Sequence, residues 1–115
     1  MTEQVSALPV KNVAQAALSS GTMVVVGAAK VYGLTINNTK ASAQFIQLHN
    51  VSATPADAAV PVWCGTIPAS TSQVIDFGFH GMDFSLGVYV CNSSTSATKT
   101  IGSADCQFFV RSVAP

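Results

Sequence analysis

Hydrophobic and polar residues alternate along most of this chain, from about residue 22 to its C-terminal end. In the clearest stretch, Tyr32, Leu34 and Ile36 fall on one face, with smaller or polar residues between them. A period of two places successive side chains on opposite faces of a β-strand. Shorter runs with the same alternation predict further strands, around residues 45–49, 60–67, 75–77, 88–90 and 106–110.

Turn-forming residues separate these runs. Clusters of Asn, Pro, Asp, Ser and Gly, such as Asn37-Asn38-Thr39 and Thr54-Pro55-Ala56-Asp57, stand between consecutive apolar stretches. Side chains of these types favour tight turns over continued strands. Seven or eight short strands at this spacing predict an all-β fold, either an antiparallel β-sandwich or a jelly roll.

The N-terminal segment has a different pattern. Apolar residues between Val10 and Leu18 recur at the spacing of one helical face, and Gly21 would end such a helix. An isolated helix of this length is marginal in water. We therefore expect residues 1–21 to form an arm or a short helix, and residues 22–115 to form a single β-sandwich domain.

Charge is scarce in this chain. Only five Lys or Arg and five Asp or Glu occur among 115 residues, and the net charge is zero. Soluble domains usually carry about a quarter charged residues, and a near-neutral surface has little electrostatic protection against association. This composition predicts a surface that packs against other protein. The scattered basic residues predict neither a nucleic-acid partner nor a membrane partner.

Motifs for catalysis or metal binding are missing. Cys64, Cys91 and Cys106 lack the paired spacing of a zinc site, and no Gly-x-Ser-x-Gly elbow occurs. The three thiols are predicted to be small buried hydrophobes, with a Cys91–Cys106 bridge left open. We expect no enzymatic activity, no cofactor and no metal.

One loop combines aromatic and flexible residues. The segment Phe79-His80-Gly81-Met82-Asp83-Phe84 places two aromatic rings and a methionine between glycines. If they are exposed, such groups mark an interaction surface. The alternative is that Phe79 and Phe84 fold inward as core. Trp63 has the same two interpretations, because it could stack on a sugar ring or pack inside the sandwich.

Short strand and turn signatures recur between residues 31 and 110. They are Val31-Tyr32-Gly33-Leu34-Thr35, Val60-Pro61-Val62, Ile67-Pro68-Ala69, Asp76-Phe77-Gly78, Cys91-Asn92-Ser93-Ser94 and Ile101-Gly102-Ser103-Ala104-Asp105-Cys106. In these segments the chain resembles small β-sandwich virion proteins of tailed bacteriophages. Such proteins commonly act as capsid cement or decoration proteins.

The resemblance implies a homotrimer that is made in the host bacterial cytoplasm, joins the virion, and binds the major capsid protein through non-covalent contacts. We expect the contacts to come from apolar residues of the arm and of the aromatic loop: Val5, Leu8, Val10, Val13, Phe79, Met82 and Phe84. The alternative is a phage tail or fibre module that recognises a surface glycan through Trp63, Tyr89 or the loop aromatics.

Overall fold

The computed structural model describes residues 11–100 and 104–113. Within these residues the chain forms nine strands and no helix, which confirms the all-β prediction. The strands are β1 (Lys11–Ser19), β2 (Gly21–Val26), β3 (Ala29–Asn38), β4 (Gln44–Asn50), β5 (Trp63–Ile67), β6 (Thr71–Asp76), β7 (Met82–Phe84), β8 (Gly87–Ser93) and β9 (Cys106–Val113).

The strands build two antiparallel sheets. The first has the order β1-β9-β3-β6, and the short β7 pairs with the start of β3. The second has the order β2-β8-β4-β5. Early strands therefore pair with late ones in reverse order: β1 with β9, β2 with β8, β3 with β6, and β4 with β5. This nested pairing across two sheets is that of a jelly roll.

Apolar side chains from both sheets form a single core. Leu34 and Ile36 of β3 face Ile46 and Leu48 of β4 across the sandwich, and all four are fully buried. The other members that are at least 98 % buried are Val31, Ile67, Phe84, Val88, Val90, Cys106, Phe108 and Val110. The alternation seen in the sequence therefore identifies most of the inward face of the strands.

Tyr32 departs from its predicted face. The register between β3 and β9 shifts between Val31 and Gly33, so the alternation moves by one residue at that point. Val31 enters the core, while Tyr32 is only half-buried. An irregularity of this kind is a β-bulge, and it depends on the neighbouring strand rather than on local pattern.

Residues 1–21 were predicted to form an arm or a short helix, and the helix is wrong for Lys11–Ser19. Lys11–Ser19 is a strand that pairs with β9, from Lys11 opposite Ser112 to Ser19 opposite Cys106. A nine-residue helix would be marginal in water, whereas the edge of β9 offers unpaired backbone groups that a strand satisfies. Residues 1–10 lie outside the described residues, so the division into an arm and a domain stays a prediction.

The three cysteines are free. Cys106 packs in the core, while the Cys91 thiol lies 3.8 Å from Gln47 Oε1 and outside the core cluster. The Cys91–Cys106 bridge that the sequence left open is therefore not formed.

Candidate interaction surface

The strand order brings four connections to one end of the sandwich. β2, β4 and β6 end there, while β3, β5 and β8 begin there. The connections at this end are the 27–28 turn, the 51–62 loop, the 77–81 loop and the 85–86 turn. In many folds such clustered connections carry the functional residues, since the strands hold them in place.

Hydrogen bonds tie two of these connections, the 27–28 and 85–86 turns, to each other and to the end of β4. The Gly27 N–H donates to the Leu86 carbonyl at 2.8 Å. The Asn50 side chain accepts from the Leu86 N–H at 2.8 Å and donates to Ser85 Oγ at 3.1 Å. The turns after β2 and before β8 are thus fixed against the end of β4, and the side chains they carry are held in one place.

Exposed apolar side chains concentrate at this end. The exposed fraction is 92 % for Phe79, 74 % for Val60 and 71 % for Val26, and Val62 and Leu86 are each more than half exposed. In the described part of the chain, only two other large apolar side chains are exposed, Leu18 and Val74. These five residues lie on or beside the connections at one end of the sandwich, and we call them the apolar end. Grouped exposed apolar groups, unlike scattered ones, are typical of interaction sites.

Two glycines present Phe79 to solvent. Gly78 and Gly81 adopt left-handed backbone conformations, with φ of 86° and 70°, which other residues rarely adopt. The Asp76 carboxylate accepts from the Gly78 N–H at 2.8 Å, and the Gly81 N–H donates to the Gly78 carbonyl at 3.3 Å. This tight turn directs Phe79 away from the sandwich, with the His80 ring 5.5 Å from it.

The other two apolar residues of the aromatic loop point inward. Phe84 is 2 % exposed and belongs to the core, which corrects its prediction as a contact residue. Met82 is half-buried and packs against the core. The cause is β7, whose pairing with β3 sets Phe84 opposite Ala29 and leaves only Asp83 facing outward.

Sequence reasoning missed the other members of the apolar end. Each stands beside a turn residue: Val26 before Gly27, Val60 and Val62 around Pro61, and Leu86 before Gly87. An apolar residue next to Gly or Pro is the signal that could have found them, because the strand that would bury it ends there.

A cavity lies at the same end of the sandwich. Its volume is about 430 Å³, and it is lined by Ala28, Ala29, Lys30, Tyr32, Asp83, Phe84, Ser85 and Val113. Lys30 and Asp83 form an ion pair of 3.5 Å there, and both side chains are solvent-exposed. The cavity offers a partner a concave, mainly apolar site at the end of the sandwich from which Phe79 protrudes.

Polar side chains are buried on the outer face of the second sheet. Gln47 Nε2 donates to the backbone carbonyls of Thr95 and Thr98 at 2.9 and 3.1 Å. The Gln47 Oε1 atom accepts from His49 Nε2 at 3.0 Å. Both side chains are at least 99 % buried. They anchor the loop that follows β8 to the middle of the sheet.

Lys99 joins that loop to the 51–62 loop. It is 4 % exposed, and its ammonium donates to the Pro55 carbonyl at 2.7 Å and lies 3.9 Å from Asp57 Oδ1. The same group sits 5.6 Å from the centre of the Tyr89 ring. Its backbone N–H and C=O also pair with the 51–62 loop, at 2.7 Å each. Lys99 thereby stabilises the loop that carries Val60 and Val62.

The buried side chains His49 and Cys91, close to Lys99, are chemically unreactive. Burial, assisted by the Lys99 charge, lowers the pKa of His49, so the imidazole is neutral. Burial raises the pKa of the Cys91 thiol to about 12, so no thiolate is available. Within residues 11–100 and 104–113, no three His, Cys, Asp or Glu side chains gather as a metal site. The cluster holds loops in place.

Comparison with known proteins identifies no family. No family model matches the chain, and no curated protein matches it. Among solved structures, the chain is similar to the coat protein of Tobacco streak virus. The identity is 13 %, the TM-score is 0.42, and the match covers 100 % of this chain and 92 % of the coat protein. No helix in the described residues is long and apolar enough to cross a membrane.

We expect His49 to make stability depend on pH. Its pKa in the folded state lies below the value of about 6.5 that it has when unfolded, so the unfolded state binds more protons between these values. Stability should be highest above pH 6.5 and fall as pH drops towards the lowered pKa. Urea unfolding at pH 7.5 and 5.5 measures this loss. In His49→Gln the loss should be smaller, and equal losses in both proteins would contradict the assignment.

Proposed function

We propose that this chain is a structural protein of a virus particle, a capsid cement or decoration protein of a tailed bacteriophage. It would bind the major capsid protein through non-covalent contacts made by the apolar end. The observation that carries the proposal is the exposure of Val26, Val60, Val62, Phe79 and Leu86 on or beside the connections at one end of a jelly roll. The phage-type assignment rests on the sequence resemblance.

Energetics favour Phe79 as the centre of such a contact. Burying an aromatic side chain of this size contributes up to about 3 kcal/mol, and interfaces concentrate their binding energy in a few such residues. The hydrogen bonds that fix the turn before and after Phe79 limit the conformational entropy lost on binding. The low charge of the chain supports the same conclusion, because charged residues are depleted at the centre of protein interfaces.

The N-terminal residues are the second proposed contact. Val5, Leu8 and Val10 lie outside the described residues, and Val13 belongs to β1, opposite Val110. β1 begins at Lys11, opposite Ser112 of β9, at the end of the sandwich where the apolar end lies. β1, which follows these residues in the chain, therefore starts at the end of the sandwich that carries the proposed docking surface.

Replacing Phe79 by aspartate tests the proposal. We expect Phe79→Asp to weaken binding to undecorated capsids at least tenfold, measured by co-sedimentation over a range of protein concentrations, because a charge replaces the central apolar contact. The matched control is Leu18→Asp, an exposed apolar residue of β1 at the opposite end. Full binding by Phe79→Asp, or equal losses in both variants, would contradict the proposal.

Removing residues 1–10 tests the arm. We expect the truncated chain to keep its melting temperature and to bind capsids more weakly, since Val5, Leu8 and Val10 are lost while β1 is intact. A deletion of residues 1–20 would not serve, because it also removes β1 and exposes the edge of β9. Unchanged capsid binding after removal of residues 1–10 would rule out a role for the arm.

The glycan-binding alternative has less support. Tyr89 is 4 % exposed, and Trp63 is half-buried with its ring edge-to-face on Phe77 at 5.3 Å between centroids. Of the aromatic residues that the alternative names, Phe79 is fully available to a sugar ring. Glycan-array binding that Trp63→Ala abolishes would favour this alternative over capsid decoration.

A further inference from the structure

The edge strands of the two sheets differ in how they are protected. An edge strand exposes unpaired backbone groups, and proteins usually blunt it with charges, bulges or glycines. The pairing of β1 shifts register between Gln15 and Ser19, and that of β2 between Met23 and Val25. β5 carries Gly65 in its middle. Each of these three edges is interrupted.

β6 is a regular and uninterrupted edge. It pairs with β3 without a register shift, from Thr71 opposite Asn38 to Asp76 opposite Gly33. Its six residues include no Gly, Pro, Lys or Arg, and Asp76 at its end is the one charge. Val74 in its centre is 65 % exposed. A strand of this kind is suited to pairing with another strand.

The hydrogen-bond pattern shows which residues face outward. The Phe77 N–H donates to the Tyr32 carbonyl at 2.9 Å, so Phe77 directs its backbone groups towards β3. Alternate residues of an antiparallel strand direct theirs to opposite sides. The backbone N–H and C=O groups of Ser72, Val74 and Asp76 therefore point away from β3, into the space beside the sheet.

We propose that β6 pairs with β6 of a second copy of this chain, antiparallel, about a two-fold axis at Val74. This register sets Val74 opposite Val74 of the second copy, so each N–H donates to the other's carbonyl. Ser72 then lies opposite Asp76 of the second copy, and no like charges face each other. The two exposed valines cover one another on the same face of a continuous sheet.

Two copies paired in this way form a closed dimer. The β6 edge of each copy is used once, so the contact is isologous and does not propagate into a filament. The proposal concerns contact between copies and does not depend on capsid binding. It differs from the homotrimer that the sequence resemblance implies, and the two states have different masses.

Native mass spectrometry and sedimentation velocity at micromolar to tens of micromolar concentration test the pairing. We expect dimers for the unmodified chain and monomers for Val74→Lys, in which two like charges meet at the axis. The control is Thr66→Lys, which places the same charge at an exposed position of β5 and should leave the dimer intact. A monomer or a trimer at all concentrations, or a dimer that Val74→Lys leaves unchanged, would overturn the proposal.

Disulfide trapping tests the register. Val74→Cys places two thiols opposite each other about 5.5 Å apart between Cα atoms, within the range that a disulfide spans. Mild oxidation should convert most of the Val74→Cys protein into a covalent dimer. Ser72→Cys lies on the same strand and face but away from the axis, and should cross-link no more than the unmodified chain with its partly exposed Cys64. Equal cross-linking at both positions would overturn the proposed register.

Discussion

Replacing Phe108 by alanine is expected to lower the free energy of unfolding by about 4 kcal/mol. Phe108 is 1 % exposed and lies in β9 between Gln15 of β1 and Ile36 of β3. Its removal leaves a cavity at the junction of three strands, in a core that cannot fully collapse. Guanidinium unfolding monitored by circular dichroism measures the loss, which is large against the 5–15 kcal/mol typical of a domain.

The neighbouring phenylalanine supplies the control. Phe109 lies on the outer face of the same sheet and is half-buried, so Phe109→Ala removes the same atoms without opening the core. We expect a loss of about 1 kcal/mol, in line with partial burial. If the two variants lost equal stability, the assignment of inner and outer faces along β9 would be wrong.

Replacing Lys99 by alanine is expected to cost about 3 kcal/mol, the second largest effect. The change leaves the half-buried Pro55 carbonyl without its donor and removes the packing of the lysine stem beside Tyr89. Hydrogen exchange should accelerate in the 51–62 loop and in residues 94–100, and chemical unfolding gives the total loss. Lys99→Met should recover part of it, because the apolar stem is kept.

Lys40 is the matched control for Lys99. It also pairs with an aspartate, Asp105, at 3.3 Å, but its side chain is 38 % exposed. An ion pair at the surface contributes less than about 1 kcal/mol, so Lys40→Ala should be nearly neutral. If hydrogen exchange in the 51–62 loop and in residues 94–100 were as slow in Lys99→Ala as in the unmodified chain, these two loops would not depend on Lys99.

The alternation of residue types was enough to predict the strands and much of the core. Leu34, Ile36, Ile46 and Leu48 occupy the faces that their spacing predicts. The prediction failed for Lys11–Ser19, because small and apolar residues there fit a helical face as well as a strand. Only pairing with β9, a contact between distant parts of the chain, decides between them.

Local sequence pattern could not predict which polar side chains are buried beneath loops. Gln47 and His49 lie on the face of β4 opposite the core, yet both are buried, and the loop after β8 is bonded to Gln47. Lys99 stands in a run of serine and threonine, where nothing in the sequence distinguishes a buried lysine from an exposed one.

The candidate surface was predicted in part. The glycines around residues 78–81 indicated a turn but left open whether Phe79 faces solvent or the core, and the structure exposes it. Phe84 was assigned to the same surface, but the pairing of β7 with β3 buries it. β7 has only three residues, and so short a strand leaves no distinct signal in the sequence. The placement of Val26, Leu86 and Phe79 at the same end of the sandwich follows from the jelly-roll strand order, which short-range patterns do not specify.

The nested strand pairing has a consequence for biosynthesis. β4 and β5 are neighbours in sequence and can pair early, whereas β1 must wait for β9, nearly the whole chain later. At ribosomal rates of 5–20 residues per second, this delay is on the order of 10 s. During that time β1 has no partner, in a chain with few charges to keep nascent copies apart. Slow translation of many copies on one messenger would therefore favour misassembly between neighbouring chains, and chaperone supply would limit the yield of folded protein.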